Sequence, residues 1–97
     1  MDGCFIIARF RAHEGHAGEV AELLRGFPEP SRAEEGCLFY DLYRDQEDRN
    51  LFVIVDGWRD RAAFDAHAGS AHVARTLAAL APHLEGDPII AKLDRVA

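Results

Sequence analysis

The sequence predicts an α+β domain of the split β-α-β type, a four-stranded antiparallel sheet with its helices on one face, in the arrangement called ferredoxin-like. Three observations predict it. Short runs rich in aromatic and branched residues recur four times, and stretches with apolar residues at helical spacing separate the first run from the second and the third from the fourth. A polar turn, D-Q-E-D-R-N, joins the second run directly to the third. Ninety-seven residues make one domain, 1–97, since a single core organises roughly 100 to 200.

Cys4 to Arg11 sets Phe5, Ile6, Ile7 and Phe10 in a run without Gly or Pro, which suits a strand. Val20, Leu23, Leu24 and Phe27 then recur at helical spacing, so a helix is expected from about Gly15 to Phe27. Pro28 and Pro30 interrupt it, because proline lacks a backbone donor and clashes with the preceding turn. A last turn through Ser31 to Glu34 resumes the helix, and Glu35-Gly36 breaks it. Cys37–Arg44 and Leu51–Trp58 form the second and third strands as an antiparallel hairpin. Asp60 caps a short helix whose Ala63, Phe64 and His67 share one face, and Gly69 ends it. Ser70 caps the next, with a buried stripe of Val73, Leu77, Leu80, Ala81 and Leu84. Gly86-Asp87-Pro88 turns the chain into a fourth strand, Ile89 to Val96.

The third strand has implications for assembly. Leu51, Val53 and Val55 point one way and Phe52, Ile54, Asp56 and Trp58 the other, so both faces are largely apolar. The helices cover one. The simplest cover for the other is the same face of a second copy, a two-fold homodimer with sheet on sheet.

Composition excludes other classes. A formal charge of -6 and a single lysine, Lys92, argue against a nucleic-acid partner and an anionic membrane surface. No apolar run approaches the ~20 residues of a membrane span. The amino terminus lacks the basic and apolar regions of a signal peptide, so the expected location is the cytoplasm, with Cys4 and Cys37 as reduced structural thiols. No G-x-G-x-x-G, P-loop, H-E-x-x-H or G-x-S-x-G motif is present.

The chemistry concentrates between Asp56 and His72. His67 looks inward from its helix and is either a hydrogen-bonded core residue or a proton acceptor, imidazole having a pKa of ~6.5. Asp56 shares a strand face with Trp58 and either orients His67 or caps the following helix. Trp58 is an apolar wall or core. Tyr40 and Tyr43 point to opposite faces, so one at most enters a given pocket. His72 falls at the edge of the buried face, at a pocket mouth or in solvent. A metal site from His67, His72 and Asp56 is disfavoured, because His residues five apart do not share one face of a continuous helix and Gly69 intervenes. His13, His16 and His83 are expected to be exposed.

Two stretches, E-E-G-C-L-F-Y-D-L-Y and D-G-W-R-D-R-A-A-F-D-A-H-A-G-S-A-H, resemble the antibiotic biosynthesis monooxygenase family of dimeric ferredoxin-like α/β-barrel proteins. Glu35, Gly36, Cys37, Leu38 and Tyr40 carry the first likeness; Asp56, Trp58, Ala66, His67, Ser70 and His72 carry the second. The resemblance implies a monooxygenase acting with O2 on a small aromatic substrate, a phenol, anthrone or hydroquinone, without metal or flavin. It implies His67 as base, Asp56 as its orienter, Trp58 and Phe64 as apolar walls, and Tyr40 and His72 beside the substrate. Asp56 departs from the glutamate most members carry. The haem-degrading branch is excluded, since His67 stands for its Trp and Leu77 for its haem ligand. The same His and Asp also suit an acid-base isomerase of a small phosphorylated or polar substrate, and the fold alone suits a non-catalytic ligand-binding dimer.

Overall fold

The computed structural model describes residues 3–97; Met1 and Asp2, which open the amino terminus read above as no signal peptide, lie outside them. The elements run β1 (Cys4–Arg11), α1 (Ala17–Leu24), α2 (Pro28–Arg32), β2 (Cys37–Arg44), β3 (Leu51–Trp58), α3 (Arg61–Ala68), α4 (Ala71–Leu80), a 3-10 turn (Ala81–His83) and β4 (Ile89–Leu93). The sheet order is β2-β3-β1-β4 and every neighbouring pair is antiparallel. β1 and β2 are thus parallel strands split by β3, the ferredoxin-like arrangement that the sequence predicts.

Alternation builds the core. Ile6, Ala8 and Phe10 of β1 and Phe52, Ile54, Asp56 and Trp58 of β3 are buried beneath Val20 and Leu24 of α1, Phe64 and His67 of α3, and Val73 and Leu80 of α4. On the opposite face, Phe5 of β1 and Phe39 of β2 stack with ring centroids 6.3 Å apart. They flank Gly57 in the register, where an added Cβ would collide with the Phe39 ring. Ile7, Leu51, Val53 and Val55 on that face are only half-buried. Among the described residues no helix is long and apolar enough to cross a membrane.

Five local expectations change. The first helical region is two helices, since Pro28 occupies the first turn of α2, where its missing donor costs nothing. α1 starts at Ala17 because Gly15 adopts φ +84°. Ser70 makes no side-chain cap for α4; its hydroxyl donates instead to the His67 carbonyl at 2.7 Å and so closes α3. β4 stops at Leu93, where its pairing with Phe5 ends, and the buried stripe of α4 loses Ala81 to solvent as the chain tightens into the 3-10 turn. Asp60 caps α3 as expected, accepting from the Ala63 amide at 2.8 Å.

The turn between α2 and β2 depends on Gly36. Its φ is +85°, and a Cβ there would stand 2.6 Å from the Cβ of Ala63. Its carbonyl accepts from the Arg59 amide at 2.7 Å, which seats the turn against the start of α3. Gly36→Ala combines left-handed strain with a clash against a side chain that has no room to swing away. It is expected to destabilise the fold by about 1–3 kcal/mol, read as a lower urea midpoint at unchanged slope.

Candidate active site

Between the helix-bearing face of the sheet and α3 and α4 lies a cavity of about 110 Å³. Its wall is apolar except for Tyr40, Asp56 and His67, and Ile90 of β4, half exposed, lies at its edge. A larger groove of about 310 Å³, bounded by Leu77, Ala81, Leu84, Gly86, Asp87 and Pro88, carries one titratable side chain, Asp87.

β3 places Asp56 and Trp58 two residues apart on the inner face, and the indole Nε1–H donates to Asp56 Oδ2 at 2.6 Å. This bond accounts for the carboxylate. Asp56 therefore does not orient His67, contrary to the expectation, and Asp60 does the capping. Burial pushes the Asp56 carboxyl up to about 6, against the lowering effect of the indole. Trp58 is fully buried and forms no part of the cavity wall; it lies behind Asp56, its ring 4.5 Å from that of His67. Phe64 and Tyr40 do line the cavity, while Tyr43, on the other face of β2, is 57% exposed. Burial, and next the Asp56 charge, raises the Tyr40 phenol, so its hydroxyl stays protonated.

His67 is held by a residue outside the predicted set. Its Nδ1 lies 2.8 Å from Oε1 of Glu34, and Nε2 of His72 lies 2.9 Å from the same oxygen. Both imidazoles therefore donate to one carboxylate. Burial lowers the His67 pKa, with Glu34 opposing it. Burial also raises Glu34, but the hydrogen bonds and charges of the two rings outweigh it and leave the carboxyl below its ordinary range. Nδ1 of His72 is buried without a partner among the described residues, which leaves Nε2 as that ring's only donor position in use. His72 thus sits behind Glu34, not on the cavity wall.

On one continuous helix, His67 and His72, five residues apart, would diverge. The break at Gly69-Ser70 instead starts α4 in a new direction, and the rings meet with centroids 5.7 Å apart. Glu34, His67 and His72 present ligand-type atoms within 4.8 Å of one another, so the carboxylate of any metal set is Glu34 and not Asp56. A signal for Glu34 was present. In E-E-G-C the acid two residues before Gly36 is Glu34; Glu35, which carried the likeness above, is exposed and pairs with Arg59 at 3.5 Å.

His16 and His83 are half-buried rather than exposed, their Nδ1 atoms 2.9 Å apart. Both cysteines are free thiols.

Residues 4–79 match the profile of a family described as antibiotic biosynthesis monooxygenase. The fold superposes on PA3566 from Pseudomonas aeruginosa with a TM-score of 0.92 at 37% identity, covering 100% of this chain and 97% of that one. A crystal structure of an antibiotic biosynthesis monooxygenase superposes with a TM-score of 0.89 at 33% identity, over 97% of this chain and 99% of that one. Rv0793 from Mycobacterium tuberculosis, named as a candidate monooxygenase, is 39% identical over 67 residues, 69% of this chain. The chain spans less than two thirds of the length of the three curated relatives it matches: 33%, 65% and 44%.

The Asp56 shift has a sign that can be measured. With a folded-state pKa of about 6 against an ordinary 3.8, the folded chain keeps a proton that the unfolded chain has lost. That contribution to stability is complete below the ordinary value and is lost as pH rises through the folded one. The melting temperature of the parent should therefore fall more between about pH 4 and pH 7 than that of Asp56→Asn, in which the group is absent.

Proposed function

The chain belongs to the antibiotic biosynthesis monooxygenase family, and on that premise we propose that it is a cofactor-independent monooxygenase of a single-ring hydroquinone or phenol. One observation carries this reading: His67, hydrogen-bonded to Glu34, lines a cavity whose other walls are apolar apart from Tyr40 and Asp56. Donation of Nδ1–H to Glu34 fixes the neutral tautomer whose Nε2 is bare, and the carboxylate stabilises the imidazolium that forms when Nε2 takes the phenolic proton. Asp56, with Oδ1 free of hydrogen-bond partners among the described residues, is the second acceptor in the same cavity.

Size narrows the substrate. An apolar cavity of roughly 150 Å³ takes a benzene ring. At about 110 Å³ this one encloses one substrate ring at most, with the remainder projecting past Ile90, which favours a single ring over a fused tricyclic anthrone. A deprotonated hydroquinone supplies four electrons to O2, one oxygen ending on the ring as a hydroxyquinone and the other as water. The protein contributes proton transfer and exclusion of solvent. A phosphorylated isomerase substrate is poorly served, because no Arg or Lys lines the cavity.

We propose further that the half-buried Ile7, Val53 and Val55 face pairs with a second copy as a homodimer in the cytoplasm. Val53→Arg should then sediment as a monomer, and a parent that is itself monomeric would refute the assembly.

Oxygen uptake tests the chemistry. His67→Ala should lower kcat for hydroquinone about 10²-fold or more, and Glu34→Gln should lower it in the same direction. Equal rates for His67→Ala and the parent would eliminate the base. Faster oxidation of an anthrone than of a hydroquinone would eliminate the size argument. Ring binding without oxygen uptake would make the protein a non-catalytic ligand-binding dimer.

A further inference from the structure

We propose that Glu34, His67 and His72 also bind one divalent transition-metal ion of the zinc class, and that the ion switches the base off. The ligand atoms come from three elements: Oε1 of Glu34 from the turn before β2, Nδ1 of His67 from α3 and Nε2 of His72 from α4. A carboxylate with two imidazoles is a zinc donor set, with bonds of about 2.0–2.2 Å. Ligands at that length around a tetrahedral ion stand roughly 3.4 Å apart. Glu34 Oε1 stands 2.8 and 2.9 Å from the two nitrogens, so an ion requires each of these to widen by about half an ångström, while the two nitrogens, within 4.8 Å of one another, settle at about the same 3.4 Å.

The surroundings permit that movement on one side only. His67 is wedged between the rings of Trp58 and Tyr40, at centroid distances of 4.5 and 5.5 Å. The Glu34 and His72 side chains retain 23% and 20% exposure, so they are the ligands that give way, and the ion reaches them from solvent with water as its fourth ligand. One carboxylate and two neutral rings carry a net charge of -1, which attracts a dication into a partly desolvated place. Beside the edge contacts of its ring with Phe27 and His67, His72 has no hydrogen bond but that to Glu34 among the described residues, so Nε2 can change from donor to ligand without breaking another. Elsewhere, His16 and His83 offer only a pair of nitrogens.

The inhibitory consequence rests on the assignment of His67 as base. When Nδ1 coordinates the ion, the proton of the neutral ring resides on Nε2. That is the nitrogen whose lone pair must receive the substrate proton. A bound ion and an active base therefore exclude one another.

Titration of the metal-free full chain with Co2+ and then Zn2+ separates the claims. The expected result is one equivalent per chain, with the strong visible absorption of four-coordinate cobalt and its loss on zinc addition. His72→Asn and Glu34→Gln should each weaken binding more than about tenfold. His16→Asn should not change it, and the near-ultraviolet circular dichroism of Trp58 checks that each variant is folded. No cobalt spectrum, or equal binding by the parent, His72→Asn and Glu34→Gln, overturns the site. Oxygen uptake is read separately: hydroquinone turnover by the parent should fall in step with ion occupancy, and full turnover at full occupancy overturns the switch. Absence of turnover in the metal-free chain overturns the monooxygenase reading and the inhibition with it, while the binding isotherm stands by itself.

Discussion

The organising interaction of the site is the acceptance of two imidazole N–H groups by one carboxylate oxygen. Oε1 of Glu34 lies within hydrogen-bond distance of both His67 and His72, and each ring is committed to a tautomer by it. Several distant features serve that contact. Arg32 at the end of α2 donates to the Tyr40 carbonyl at 3.0 Å and pins the helix to β2 just before Glu34. Gly36 allows the chain to reverse tightly against Ala63. The break after Gly69 separates α3 from α4, so that two histidines five positions apart converge instead of diverging.

Two of the buried polar residues, Asp56 and His67, are paired through their side chains, while Ser31 Oγ and His72 Nδ1 are buried without a hydrogen-bond partner among the described residues. Asp56 is held by the Trp58 indole, His67 by Glu34, and the polar edge of Trp58 by Asp56 in turn. An unpaired buried group costs about 1–3 kcal/mol, so these pairings are conditions for the fold as much as devices for chemistry. The two acids end up differently poised. Asp56, bonded to a neutral donor and desolvated, titrates near 6, whereas Glu34, facing two imidazoles, stays below its ordinary range. Environments that drive like groups apart are what acid-base work near neutral pH requires.

The two faces of the sheet meet different demands. The inner face takes the helices and leaves a cavity of about 110 Å³. The outer face keeps Phe5 and Phe39 stacked over Gly57 and leaves Val53 and Val55 half-covered, flanked in the register by Arg9 and Asp41, and burial of such apolar surface stabilises at roughly 25 cal/mol per Å².

Local pattern alone determined the strand and helix order, the antiparallel hairpin, the inward side of β3 and the Asp60 cap, because period-2 and period-3.6 spacing and single-residue caps act over a few residues. The same pattern placed Asp56, Phe64 and His67 on one side and Tyr40 opposite Tyr43. What it could not determine was pairing between residues far apart in sequence. Asp56 had two candidate roles by spacing, orienting His67 or capping the following helix, and the tertiary structure gave it neither, pairing it with the Trp58 indole instead. Trp58 read as core by default and as a wall by resemblance, and the packing of Asp56 and His67 in front of it made it core. Glu34 is 33 residues from His67 and 38 from His72, and neither periodicity nor capping connects such positions. The tertiary structure connected them, because the Gly36 turn and the Gly69 break each redirect the chain, and the directions that follow depend on the packing of α2, α3 and α4 against the sheet.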